Sequence, residues 1–296
     1  MTNRREPLPT DVDALAPLPA AYDAALDAGL AALGLDLDPV AREAIADHVR
    51  LLLAWTEAIN LTAIREPAAV ALEHVVDSLT ALPLLRQMDA RALLDLGSGG
   101  GFPGLPLALA LPAGRALLVE SVGKKATFLG AALDALGLRP RFAVAATRAE
   151  TLARDPHHRE RWPVVTARAV AALPELVELA LPLLAPGGVL VAWKRSIVID
   201  GRAAGADPAG AGGGRAGTGG ADDEPDDVAP LRRLDLELAG AARAARALGG
   251  EAPTVVPVTV PGLQDHVLVV VAKTGATPSG YPRDPALRKR APWRHD

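Results

Sequence analysis

The chemistry this chain can offer is concentrated in the stretch LLDLGSGGGFPGLP, residues 93 to 106. A buried-strand pattern runs into Asp95 and then into five glycines within eight residues. A turn of that kind aims backbone amides outward, and the helix that follows favours negative charge at its start. Without Cβ atoms, its backbone lets a ligand approach closely. The string has two registers. Gly99, Gly101 and Gly104 satisfy G-x-G-x-x-G, the pattern of a dinucleotide site. Starting from Gly97 it reads DLGSGGG, with Asp95 at the strand end and Phe102 where the third dinucleotide glycine would fall. Glu120 closes the next apolar run, LLVES, where an acid accepts both ribose hydroxyls of an adenosine in either register.

The elements that must position these residues follow from periodicity. Residues 1 to 20 are Pro-rich and polar and are expected to be a disordered extension. From 21 to 88 the text is helical. Asp38 is a candidate N-cap, Pro39 stands at the first helical position, and Val40, Ile45, Val49, Leu52 and Leu53 form one stripe. A second helix is expected through EPAAVALEHVVDSLTALPLL, again with a proline, Pro67, near its start. From 89 to 275 short apolar runs (RALLDLG, RALLVES, RFAVAAT, PVVTARAV, GVLVAWK) alternate with helical stretches. That alternation predicts an α/β fold with a mostly parallel sheet. Two last runs, TVVPVTV and HVLVVVAK, are joined too briefly for a parallel crossover, so an antiparallel pair is expected at the sheet edge. Such an edge is unusual for a dinucleotide domain. It suits a class I S-adenosylmethionine-dependent methyltransferase, a Rossmann-like fold with seven strands. Residues 201 to 228 read as a flexible acidic Gly-rich insertion, and 276 to 296 as a basic C-terminal tail.

Composition sets outer limits. The chain has 296 residues and half are hydrophobic, so a large core is available; aromatics are only 3%, so Ala, Leu and Val must build it. There is no cysteine, which removes disulfides and thiolate metal sites and fits a reducing cytoplasm. No run of roughly 18 uncharged apolar residues is seen and the start lacks a secretory core, so no membrane span is expected. The net charge of −4 is carried by the 201 to 228 segment, with two arginines against six acids, so the remainder is neutral. Average charge therefore says nothing about a polyanionic partner.

Seven segments occur together in order: NLTAI (60–64), HVVDSL (74–79), DLGSGGGFPGLPLAL (95–109), VESVGKKATFL (119–129), TRAE (147–150), TARAVAAL (166–173) and LVAWK (190–194). With them the chain closely resembles, over residues 25 to 275, the RsmG or glucose-inhibited division protein B family. These are bacterial 16S rRNA guanine-N7 methyltransferases. The resemblance implies S-adenosylmethionine as cofactor, N7 of one guanine in the 530 loop as acceptor, and 16S rRNA or the small ribosomal subunit as partner. It implies that Gly97, Gly99 and Phe102 hold the methionine part and the adenosine, and that Glu120 takes the ribose. Ala149 would line the adenine through its backbone amide and Glu150 through its side chain. Arg168 would sit beside cofactor and incoming base as the catalytic residue. A cytoplasmic monomer without metal is expected. The chain departs from the family pattern at Arg195, where a glycine is common, and in the insertion and tails.

Guanine N7 already carries an exposed lone pair, so such a reaction needs orientation more than a base. No base–nucleophile pair is evident, in keeping with that. Asp95 reads as ligand support or as a strand-end acid for loop amides. An unpaired Arg168 in an apolar strand is costly to bury, so it needs a partner. His74 and Asp77, one helical turn apart, are expected to cap or orient Asn60 or Arg65, or else to meet RNA. Lys124 and Lys125 open a helix, where positive charge is disfavoured. With Lys194 and Arg195 they are expected to form a basic rim for phosphate. Trp193 is expected in the core. Two rival functions use the same fold: an NAD-dependent oxidoreductase in the Gly99 register, and a non-catalytic RNA-binding assembly factor.

Overall fold

The computed structural model describes residues 8–112, 114–139, 141–195 and 230–293, with backbone alone over 230–233. The expected insertion at 201 to 228 lies outside the described residues, as do 1–7 and 294–296. The N-terminal helices are α1 (Ala20–Leu33) and α2 (Pro39–Ile59). Asp38 caps α2 by accepting from the amides of Val40 (2.9 Å) and Ala41 (3.3 Å), and Pro39 occupies the first turn, where a missing N–H costs nothing. Of the expected stripe, Ile45, Val49 and Leu52 are buried, but Val40 in that first turn is 73% exposed.

The second helix is not one piece. It runs as α3 (Pro67–Val70), a π-helical turn over Ala71–Val76, α4 (Asp77–Leu79) and, after a break, α5 (Leu82–Gln87). A π-turn holds wider backbone hydrogen bonds than a helix needs, and such turns gather at functional sites. By length and composition Pro67–Gln87 could cross a membrane, yet more than half of it is buried inside the protein.

The sheet has seven strands: β1 (Ala92–Leu96), β2 (Arg115–Val119), β3 (Phe142–Ala145), β4 (Trp162–Arg168), β5 (Leu184–Arg195), β6 (Thr254–Pro257) and β7 (His266–Ala272). Their order is β3-β2-β1-β4-β5-β7-β6. The first five are parallel; β7 pairs antiparallel with both β5 and β6. This is the class I methyltransferase arrangement, and the strand order reverses between β1 and β4, where such sheets bind ligands. Connecting helices are α6 (Gly104–Ala110), α7 (Gly123–Ala135), α8 (Ala149–Leu152), α9 (Leu173–Ala180) and α10 (Pro230–Ala247).

Alternating strand residues feed two cores. Leu93, Leu118 and Val191 meet the N-terminal helices, including Leu52, Trp55 and Val75, together with Phe128. Leu94, Val165 and Leu190 meet α9 and α10 on the opposite face. The N-terminal helices thus share one core with the sheet.

Both expected tails are corrected where they are described. Within 8–19, Val12 is buried, Trp55 Nε1 donates to the Pro9 carbonyl (2.7 Å), and Arg50 donates to the carbonyls of Val12, Leu15 and Ala16. A proline-rich segment lacks periodicity, but one guanidinium, that of Arg50, satisfies three of its carbonyls. The basic tail is also packed, ending in α11 (Pro285–Arg290). Arg159 donates to the carbonyls of Thr277, Pro278 and Tyr281, while buried Glu178 accepts from the Arg283 side chain and from Trp293 Nε1.

Candidate active site

The glycine loop leaves β1 with Gly97 and Gly99 at positive φ, 67° and 55°. A Cβ on Gly97 would meet the Val170 side chain at 2.7 Å, so both conformation and close approach demand glycine. Gly104 has another reason: a Cβ there would lie 2.7 Å from that of Asp95. The loop is held by amides of Gly97 and Ser98 on the Val119 carbonyl, at 2.8 and 3.0 Å.

Asp95 is fully enclosed beneath this loop and accepts from Thr166 Oγ1 at 2.7 Å. Burial pushes its carboxyl up to about 6, against the opposing pull of Thr166. It lines neither of the cavities described next, so the structure places it as support for the loop.

Two cavities flank the loop. The larger, about 560 Å³, lies between the sheet and the N-terminal helices; Thr62, His74, Phe102, Arg168, Trp193 and His266 are in its wall. The smaller, about 320 Å³, lies over the ends of β2 and β3, with Ser121, Thr147, Ala149, Glu150, Glu175 and Arg288 in its wall. Gly97 belongs to both. Gly99 and Phe102 face the larger one, Ala149 and Glu150 the smaller. Glu120 lines neither cavity; its carboxylate accepts from the amides of Gly99 (3.0 Å), in the wall of the larger one, and Val122 (2.7 Å).

Arg168 ends β4 and finds the partner its burial requires in Asp77, at 2.6 Å. It also donates to the Glu73 carbonyl (2.9 Å) and lies 3.3 Å from His74 Nδ1. Arginine only donates, so His74 Nδ1 accepts, and the proton on Nε2 goes to Thr62 Oγ1 at 2.7 Å. Burial first, and the Arg168 charge second, bring the His74 imidazole down to about 4. The ring is neutral at pH 7 and stacks on Phe102, with centroids 4.9 Å apart. Asp77 meanwhile accepts from His266 Nδ1 (2.8 Å), and its carbonyl takes Trp193 Nε1. The π-turn brings Glu73, His74 and Asp77 together onto Arg168.

The expected pairing of His74 and Asp77 with Asn60 or Arg65 is not what forms. His74 uses Thr62, and Arg65 pairs with Glu57 at the surface. Trp193 is buried as expected. Of the basic rim, Lys125, Lys194 and Arg195 line the larger cavity and Lys124 does not; Lys194 is also bound to Glu237 (2.7 Å).

Sequence reasoning missed three residues here: His266, Arg288 and Ala169. Ala169 follows Arg168 at φ 57°, a left-handed conformation that an L side chain rarely adopts and that recurs at functional sites.

A family model described as rRNA small subunit methyltransferase G matches residues 41–202. A ribosomal RNA small subunit methyltransferase G from Roseiflexus sp. is 40% identical over 262 residues, covering 88% of this chain and 95% of that one. The protein of the same name from Deinococcus deserti is 40% identical over 266 residues, covering 90% and 93%. The chain belongs to the rRNA small subunit methyltransferase G family. Within the family match lie the glycine loop, the π-turn, Glu120, Glu150 and Arg168; His266 and Arg288 lie beyond it. Those two reach Asp77 and Glu150 from β7 and α11.

Proposed function

We propose that this chain transfers a methyl group from S-adenosylmethionine to N7 of one guanine in the 530 loop of 16S ribosomal RNA. Membership of the family makes it an S-adenosylmethionine-dependent methyltransferase of small-subunit rRNA. The choice of N7 and of the 530 loop, and every residue role below, are our reading. The observation that carries it is the shared wall at Gly97, where a nucleoside-sized cavity opens beside a larger one.

The cofactor fits the residues present. The smaller cavity is bounded by a cradle that a Cβ would fill at Gly97, by the Ala149 backbone and by acceptor carboxylates. In this reading Glu120 accepts ribose hydroxyls with the lone pairs its two backbone amides leave free, Glu150 takes an adenine amine, and the Gly97–Gly99 turn takes the methionine end. The bound cofactor supplies an electrophilic methyl group, and N7 supplies its own lone pair.

The chain's work is therefore orientation. Arg168, locked by Asp77 and the Glu73 carbonyl, is a fixed donor for the guanine O6, which leaves the N7 lone pair free to attack. Neutral His74 avoids a second positive charge beside Arg168. Lys125 and Arg195 at the rim attract phosphate. The target must be unpaired, because a duplex would not admit the base to this depth.

Methyl-labelled S-adenosylmethionine tests this with naked 16S rRNA and isolated small subunits as acceptors. Label on one guanine supports the reading. Label on neither, with cofactor bound, would require another acceptor. Binding of NAD and not of S-adenosylmethionine would favour the oxidoreductase.

A further inference from the structure

The C-terminal segment reaches back into the smaller cavity, and one of its side chains is the most constrained cation in the protein's wall there. Arg288, on α11, donates through Nη2 to Glu150 Oε1, through Nε to Glu175 Oε1 at 3.1 Å, and through Nη1 to the Arg283 carbonyl at 2.8 Å. Every edge of the guanidinium is engaged and its side chain is 8% exposed, so it has one orientation. The segment that delivers it is itself pinned by Arg159 and Glu178, and Asp284 caps α11 on the Ala286 amide at 2.9 Å.

We infer that Arg288 is a positioning residue for the nucleoside cavity, holding the Glu150 carboxylate so that the cavity selects an amino over an oxo group on the purine. The inference rests on the reading that the smaller cavity takes the adenosine.

Glu150 and Glu175 both line this cavity, and Arg288 lies between them. Burial alone would push the Glu150 carboxyl up, but the Arg288 guanidinium, with the Glu150 backbone amide and the Arg148 charge, brings the net direction down. An ionised carboxylate only accepts, and one oxygen on Arg288 leaves lone pairs free for a ligand. An adenine amine donates to such a group. A hypoxanthine carbonyl in the same place presents oxygen to oxygen and is rejected, as sites built for a donor reject ligands that lack it. Without Arg288, two neighbouring carboxylates would favour protonation of one, and a protonated acid accepts either purine.

Calorimetric binding of S-adenosylhomocysteine and S-inosylhomocysteine to the full chain tests this. The native chain should prefer the adenosyl ligand by about tenfold or more, roughly one charge-assisted hydrogen bond. Arg288→Ala should cut that preference at least about fivefold, chiefly by weakening the adenosyl ligand, and Glu150→Gln should do the same. Arg288→Lys keeps charge but not the planar fork, so it should keep part of the preference. It also reads the same ratio should the alanine variant not fold. Equal weakening of both ligands, or an unchanged ratio, would overturn the role of Arg288. A native chain that binds neither ligand would instead overturn the cofactor reading itself.

Discussion

Arg168 and Asp77 meet at 2.6 Å, tying the carboxyl end of β4 to the turn where the π-helix gives way to α4. The pair is buried, and it joins the sheet to the N-terminal helices at the point where the two cavities approach one another. A guanidinium held this way cannot move to follow a substrate, so the substrate must be brought to it. That is the behaviour expected of a site that works by orientation.

Arg168→Ala should lower methyl transfer by about a hundredfold while leaving S-adenosylhomocysteine affinity within about twofold. Stability should fall by about 3 kcal/mol, since Asp77 keeps His266 but loses its arginine. Single-turnover transfer and denaturant unfolding measure the two effects. A normal rate would remove Arg168 from the site.

Ala169, next in the chain, carries a left-handed φ of 57°. Ala169→Gly should be neutral or stabilise by up to about 1 kcal/mol, while Ala169→Val should cost about 2 kcal/mol. Denaturation midpoints of the two variants check this. Equal stabilities would mean that the backbone relaxes without strain.

Much of this arrangement is legible in the sequence, and the part that is not has a common cause. Parallel strands buried on both faces read as plain apolar runs, which is why β1 to β5 are visible. The glycines mark positive φ, and Arg168 announces itself as a charge inside such a run. The π-turn is invisible because AVALEHVVDSL has an ordinary helical pattern, while Arg168 and Trp193, which hold Glu73, His74 and Asp77, lie far along the chain. His266 lies 189 residues from Asp77 and Arg288 lies 138 from Glu150, separations that no local pattern encodes. The tail reads as a basic stretch because its neutralising partners, Glu150, Glu175 and Glu178, are more than a hundred residues away.

The buried histidines set the acid limit. His48 donates to the Gly100 carbonyl (2.8 Å), and burial brings its imidazole, like that of His74, down to about 4. Each folded value lies below the unfolded one, near 6.5, so the unfolded chain binds more protons between those limits. Stability should therefore fall as pH drops from 6.5 to 4, by on the order of 2 kcal/mol per histidine. Asp95 acts oppositely: its raised value makes stability fall as pH rises from about 4 to 6, which offsets part of the slope. In unfolding curves across this range, His48→Asn should be less stable at pH 7 but lose less on acidification. Asp95→Asn should steepen the acid loss. An unchanged slope in both would contradict the assignment.

The packed C-terminal segment should be a stability element. Glu178 is fully buried and accepts from Arg283 and Trp293. Glu178→Ala leaves that arginine unpaired and should cost about 3 kcal/mol. Trypsin should then cut within 276–293 faster than in the native chain. Resistance equal to the native chain would mean the segment is held by its other contacts alone.

Under the proposed function Gly97 divides the site, with the methyl donor on one side and the base on the other. Steady-state methyl transfer, with S-adenosylmethionine and small subunits varied independently, tests it most directly. Glu120→Ala should raise KM for the cofactor by about tenfold and leave KM for the subunit unchanged, and Arg195→Ala should do the reverse to a smaller degree, about threefold. If Glu120→Ala acts on the subunit KM, or Arg195→Ala on that of the cofactor, the two cavities do not hold the substrates assigned to them.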